Sequence, residues 1–242
     1  MARPPGPVPG LRVHGSLASH PAAEAFAREV HRVHGRYLRE VVAAFALCPH
    51  VKPGGAASRG ATDVPGEGEA AFGAFCVLLD REPDLEATLA TALALSEPVA
   101  HLVFPLIALG PAPFERFAAA FGDRVRRERA RRGDDVPTLA AFHPGLEGDA
   151  SSPDRLIGLL RRAPDPFVQL VPEGLAQGGT VMAMIRPDGT PSLPTSDRGD
   201  HAHQNWRRLA SGPIGALVAR VEDIRADRDR SYAPYVEAIG AA

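Results

Sequence analysis

Phe72-Gly73-Ala74-Phe75-Cys76-Val77-Leu78-Leu79-Asp80 is the stretch whose reading decides the fold. The apolar run is short, contains a β-branched residue and an aromatic, and is closed by Gly and Asp, so it reads as a strand buried on both faces. A helical pattern over 84–95 follows, with Leu85, Leu89 and Leu93 on one face. The alternation then repeats: a strand over 101–109, a helix over 114–132, and a strand over 137–142 that ends at His143-Pro144. Strands separated by helices lie parallel in one sheet with right-handed crossovers.

Working outward, the segment 21–47 carries Phe26, Val30, Val33, Tyr37, Val41 and Phe45 at three- and four-residue steps, which predicts an amphipathic helix. It should stop near Cys48, because Pro49 disfavours helical geometry at the residue before it. On the other side, Ser152 and Pro153 form a helix start, cap and first position, for a helix to about Arg162. Short strands are expected at 167–171 and 180–185 with a turn at Pro187-Asp188-Gly189 between elements. A last helix is expected from Asn205, broken at Gly212-Pro213 and resuming through Leu217, Val221 and Ile224 to about Tyr232. The expected class is α/β, with α+β as its alternative: a sandwich built on one mixed sheet of consecutive strand–helix–strand units flanked by helices. Residues 1–20 read as a flexible arm. Residues 21–242 read as a single domain with a polar, Gly-rich loop over 52–70 and an irregular insertion over about 172–204.

Composition narrows the functions. The 242-residue chain has a net charge of −2, so no global field draws it to nucleic acid or anionic lipid. No run reaches the roughly 20 apolar residues of a membrane span, and the Pro-rich start lacks the apolar core of a secretion signal. Cys48 and Cys76 are the only cysteines and make no disulfide framework; Cys76 sits in the apolar strand as a small core residue. Cytoplasmic residence with reduced thiols is therefore expected. The Arg-rich stretch from Arg124 to Arg132 is interrupted by Glu128 and lacks aromatics, which fits a solvated helix end better than a nucleic-acid surface.

Three groups carry candidate chemistry. Cys48-Pro49-His50 places a thiol and an imidazole at a helix end. The negative end of the helix dipole raises the thiol pKa there, favouring ligation or a structural role over free nucleophilicity. The alternative is a helix stop with a buried Cys. Phe142-His143-Pro144-Gly145 places an imidazole where a strand leaves the sheet, the position at which open α/β sheets bind ligands. His143 is thus a candidate general base or metal ligand, or else a packed strand-end His. His201-Ala202-His203 offers two imidazoles that an extended backbone brings to one metal, near Asp197 and Asp200; a polar loop has the same composition. His31 and His34 share a helix face and read as surface or half-buried.

Leu47-Cys48-Pro49 after an amphipathic helix, together with Ala140-Ala141-Phe142-His143-Pro144, resembles the L-C-P and F-H-P motifs of the bacterial domain-of-unknown-function family 1415. Ser152-Pro153 with Leu156, Leu159, Leu160 and Arg161 is similar to that family's Ser-Pro helix, and Asn205, Arg207, Arg208 and Leu209 to its closing segment. The resemblance covers roughly residues 25–165. His50 stands where the family carries Phe, the segment between the two later motifs is shortened to Gly145–Ser151, and about 172–204 is added. The resemblance implies that Cys48 and His143 belong to one site and implies no reaction.

The expected function is a metal- or haem-dependent enzyme, an oxidoreductase acting on a small molecule at Cys48, His50 and His143, with His143, His201 and His203 as metal ligands. The cofactor would be haem or a transition metal, iron or zinc. Two alternatives stay open: a cofactor-free hydrolase or transferase with Cys48 as nucleophile and His143 as base, and a non-catalytic binding module. The expected partner is a small-molecule substrate, without nucleic acid or membrane; a homodimer is left open.

Overall fold

The structure, a computed structural model, describes residues 8, 10–45, 47, 73–172, 205–210 and 212–240, and the backbone at 184–185 and 191–192. Strand β1 (Leu11–His14) leads into helix α1 (Ala23–Tyr37), whose last turns widen into a π-helical segment (Leu38–Ala43). Then follow β2 (Ala74–Leu78), α2 (Leu85–Leu93), β3 (Ala100–Val103), α3 (Pro111–Arg132), β4 (Pro137–Phe142), α4 (Pro153–Leu160) and β5 (Phe167–Pro172). A two-stranded ribbon, β6 (Met184–Ile185) with β7 (Pro191–Ser192), precedes the short helix α5 (205–210) and the long helix α6 (Ile214–Gly240).

The class is α/β. One mixed five-stranded sheet runs in the order β1-β2-β3-β5-β4. β1, β2 and β3 are parallel, while β5 is antiparallel to both β3 and β4. β4 therefore points the same way as the first three strands, and all four carboxyl ends lie on one edge, beside the amino end of β5. Alternation splits the sheet between two cores. Phe75, Val77, Val103, Phe142 and Phe167 face α1, α4 and α6, whereas Cys76, Leu78, Leu102, Val168 and Leu170 face α2 and α3.

The helix starts follow the sequence. Asp84 accepts from the Ala87 amide at 3.0 Å and Ser152 from the Arg155 amide at 3.2 Å, each satisfying a donor that the first turn leaves unpaired. Gly133, at φ 75°, closes α3 in the left-handed conformation.

Three expectations change, and the strand order is new. Within the expected arm, Leu11–His14 is an edge strand, half-buried throughout and in register with Phe75–Leu78, with Arg12 paired to Glu97 at 2.7 Å. Such a strand is hard to see because one side is open and its pattern is only four residues long. The strand expected over 101–109 ends at Val103, because Pro105 has no donor for the ladder; the Phe104 amide turns instead to the Pro166 carbonyl at 2.9 Å. β3 and β4 are not neighbours, since β5 returns between them. α6 continues past Tyr232 to Gly240, carrying Pro234 inside it.

Candidate functional site

The carboxyl edge of the sheet holds a pocket of about 190 Å³. Its walls are Ile107, Ala108 and Leu109 after β3, His143 and Pro144 after β4, Pro164 and Pro166 before β5, and Arg225, Arg228 and Asp229 from α6. Such an edge is where α/β sheets present ligand sites, because the loops leaving the strands diverge there. A volume equal to about six waters, below the roughly 300 Å³ at which drug-sized pockets begin, suits only a small molecule.

His143 is buried, and both of its ring nitrogens are committed. The Gly145 amide donates to Nδ1 at 3.0 Å, so Nδ1 is the acceptor and Nε2 carries the proton, which it donates to the Leu109 carbonyl at 2.9 Å. Burial lowers its pKa, the Leu109 hydrogen bond opposes this, and the nearby Arg225 charge adds to the lowering. The ring is a neutral brace between the segments leaving β3 and β4. Acting as a metal ligand or a general base would require giving up one of these two bonds. A Cβ added to Gly145 would press on this ring at 3.3 Å.

The far wall rests on a buried charge pair. Asp165, wholly buried, accepts from Arg228 Nε at 3.0 Å and from the Tyr232 hydroxyl at 2.8 Å. Burial pushes the Asp165 carboxyl up, and Arg228 and Tyr232 oppose it. Arg228 spends its other nitrogens on the Pro105 carbonyl at 3.1 Å and on Asp229 at 2.9 Å, and lies 4.8 Å above the Tyr232 ring. Both oxygens of the carboxylate and all three guanidinium nitrogens have partners, which offsets the desolvation of a buried charge pair. It clamps α6 to the sheet edge. Arg225, one turn earlier, gives one nitrogen to Glu222 at 3.0 Å and is the pocket cation with donors to spare.

The sequence did not single out Asp165, Arg225, Arg228 or Tyr232. The available signals were an Asp held between two prolines just before a strand, and an Arg and a Tyr four residues apart on the last helix. A second buried polar group was missed as well. His34 is fully buried, not surface or half-buried, and its Nε2 lies 2.9 Å from Nδ1 of His101, the one polar residue of β3. His31 is half-buried against Phe75.

Cys48, His50, His201 and His203 lie outside the described residues, as does the loop 52–70. Among the described residues no group of three His, Cys, Asp or Glu is placed to hold a metal ion. Cys76 is buried, and burial pushes its thiol up to about 11. The α3 arginines are paired as a solvated face is: Arg124 with Glu86 at 3.0 Å and Arg131 with Glu128 at 3.0 Å, while Arg129 covers the last carbonyls of α2. No described helix is long and apolar enough to cross a membrane. Comparison of the chain with protein-family models, with curated proteins and with solved structures finds no match.

Proposed function

We propose that the protein binds a small acidic molecule at the carboxyl edge of its sheet, with Arg225 as the anchor for the acidic group. The observation that supports this most is the division of labour on α6. Arg228 is saturated by Asp165, Asp229 and Pro105, whereas Arg225 stands on the same pocket wall with, among the described residues, only Glu222 against it. Ile107, Leu109, Pro144 and Pro164 supply apolar contact for a short carbon skeleton, beside Asp229, whose carboxylate is paired with Arg228. His143, neutral with Nε2–H already given to Leu109, shapes the wall and holds no charge against the ligand.

Calorimetric titration with inorganic phosphate and with short mono- and dicarboxylic acids tests this reading. At least one class should bind the wild type, and Arg225→Gln should weaken it about 10- to 100-fold, the worth of a charge-assisted hydrogen bond. Equal affinity in both proteins, or no binding of any of these acids, overturns it.

A second reading is the expected metal- or haem-dependent oxidoreductase, whose expected ligands are Cys48, His50, His143, His201 and His203; since both ring nitrogens of His143 have partners, it would rest on the other four. It is supported by one contact. Arg208, five residues after His203, donates to the carbonyl of Phe45, three residues before Cys48, at 2.8 Å, and Leu47 and Leu209 are buried in one cluster. Purified protein should then carry stoichiometric iron, zinc or haem by elemental analysis and absorption spectrum; metal-free, colourless protein that retains ligand binding goes against it.

A further inference from the structure

Helix α1 is joined to the sheet by a hydrogen-bonded file of three side chains: His34, His101 on β3 and Gln169 on β5. His34 Nε2 is 2.9 Å from His101 Nδ1, and His101 Nε2 is 3.3 Å from the Gln169 amide nitrogen. The His34 ring is enclosed by Phe75 at 4.9 Å, Phe167 at 4.7 Å and the His101 ring at 5.0 Å, centroid to centroid. Its Nδ1 is buried with no hydrogen-bond partner.

The number of protons on this file sets its behaviour. Only one hydrogen fits between the two rings. The neutral pair holds two, so the second sits either on His101 Nε2, facing Gln169, or on His34 Nδ1. With the Gln169 carbonyl turned to His101, the first arrangement leaves no N–H unpaired. A third proton has one place left. The three-proton pair must carry an N–H on His34 Nδ1, a donor with no acceptor in an aromatic enclosure, and it also holds a buried positive charge; both cost stability.

Among the described residues, the other groups facing His34 do not offset this. His31, on the same helix, would add like charge, and Tyr37, 6.0 Å away, points its hydroxyl to the Leu160 carbonyl at 3.5 Å. β2 and β5 contribute Phe75, Phe167 and the neutral Gln169. Where α6 packs on α1, Asp223 and Asp227 are taken by Arg32 and Arg36.

We propose that His34, His101 and Gln169 form an acid-opened clasp, in which uptake of one proton places an unpaired N–H on the enclosed His34 Nδ1 and lifts α1 from the sheet so that water reaches it. Burial, with the neighbouring imidazoles, holds the His34 pKa well below that of a free histidine, so the clasp is closed at neutral pH.

Amide hydrogen exchange of the full chain from pH 7.5 to pH 5, corrected for intrinsic exchange rates, tests the clasp. Protection of the α1 amides should fall, relative to α3 on the opposite face, approaching tenfold per pH unit below about pH 6.5, the linkage of one proton. In His34→Leu the α1-to-α3 ratio should not change with pH. If α1 and α3 lose protection together in the wild type, or if the wild-type ratio is constant, the clasp is wrong; this comparison stands even if His34→Leu does not fold. The same acid loosening of α1 in a folded His34→Leu protein also overturns it.

Discussion

At the scale of single residues, the site is built from buried polar groups whose partners are nearly all accounted for. Asp165 shows what this implies. In Arg228→Ala its carboxylate keeps only the Tyr232 hydroxyl among the described residues, which should destabilise by about 3–5 kcal/mol at pH 7 in urea unfolding. That loss should shrink toward pH 4, because protonation relieves the stranded charge. His143→Ala should cost about 2–3 kcal/mol, since the Gly145 amide and Leu109 carbonyl lose their partner together. Only part of this was legible in the sequence. His143 was visible because a His between an apolar strand and Pro-Gly has one natural place, the sheet edge. Its role was not visible, because the tautomer is set by Leu109, which lies 34 residues away in the chain and comes alongside only through the β3–β5–β4 arrangement.

Among the elements, apolar periodicity located those buried on a broad face. α1, β2, α2, α3 and β4 lie close to their expected positions because each presents a continuous stripe or run to one of the two cores. β1 escaped because it is four residues long with no fully buried position, whereas β4, the other edge strand, has six residues and two buried ones; the placement of β5 between β3 and β4 escaped because pairing order is a tertiary property. Local propensity also misleads at α4. Gly158 is inside that helix, where Ala is intrinsically better by about 1 kcal/mol. Yet a Cβ there would collide with the Glu147 carbonyl, and one on Gly148 would collide with the α4 backbone. Gly158→Ala should therefore lower the melting temperature by several degrees, against the sign that propensity gives, when followed by circular dichroism.

The whole molecule is a sheet between two helical layers, with α6 both covering the core and walling the pocket. Its imidazoles make stability depend on pH in one direction. The pKa values of His14, His34 and His143 are lowered in the folded state, in each case first by burial. The unfolded chain therefore binds more protons below about pH 6.5, and the midpoint of urea unfolding should fall as pH drops from 7 to 5. A midpoint that stays flat or rises would go against neutral, buried imidazoles. The central claim remains the pocket at the carboxyl edge, where the ends of β3 and β4 meet α6. Its most direct test is a two-dimensional amide NMR titration of the full chain with the tightest-binding small acid. The account predicts saturable shifts concentrated at Ala108, Leu109, Gly145 and Arg225 and abolished by Arg225→Gln; saturable shifts centred elsewhere, or unaffected by that substitution, would contradict it.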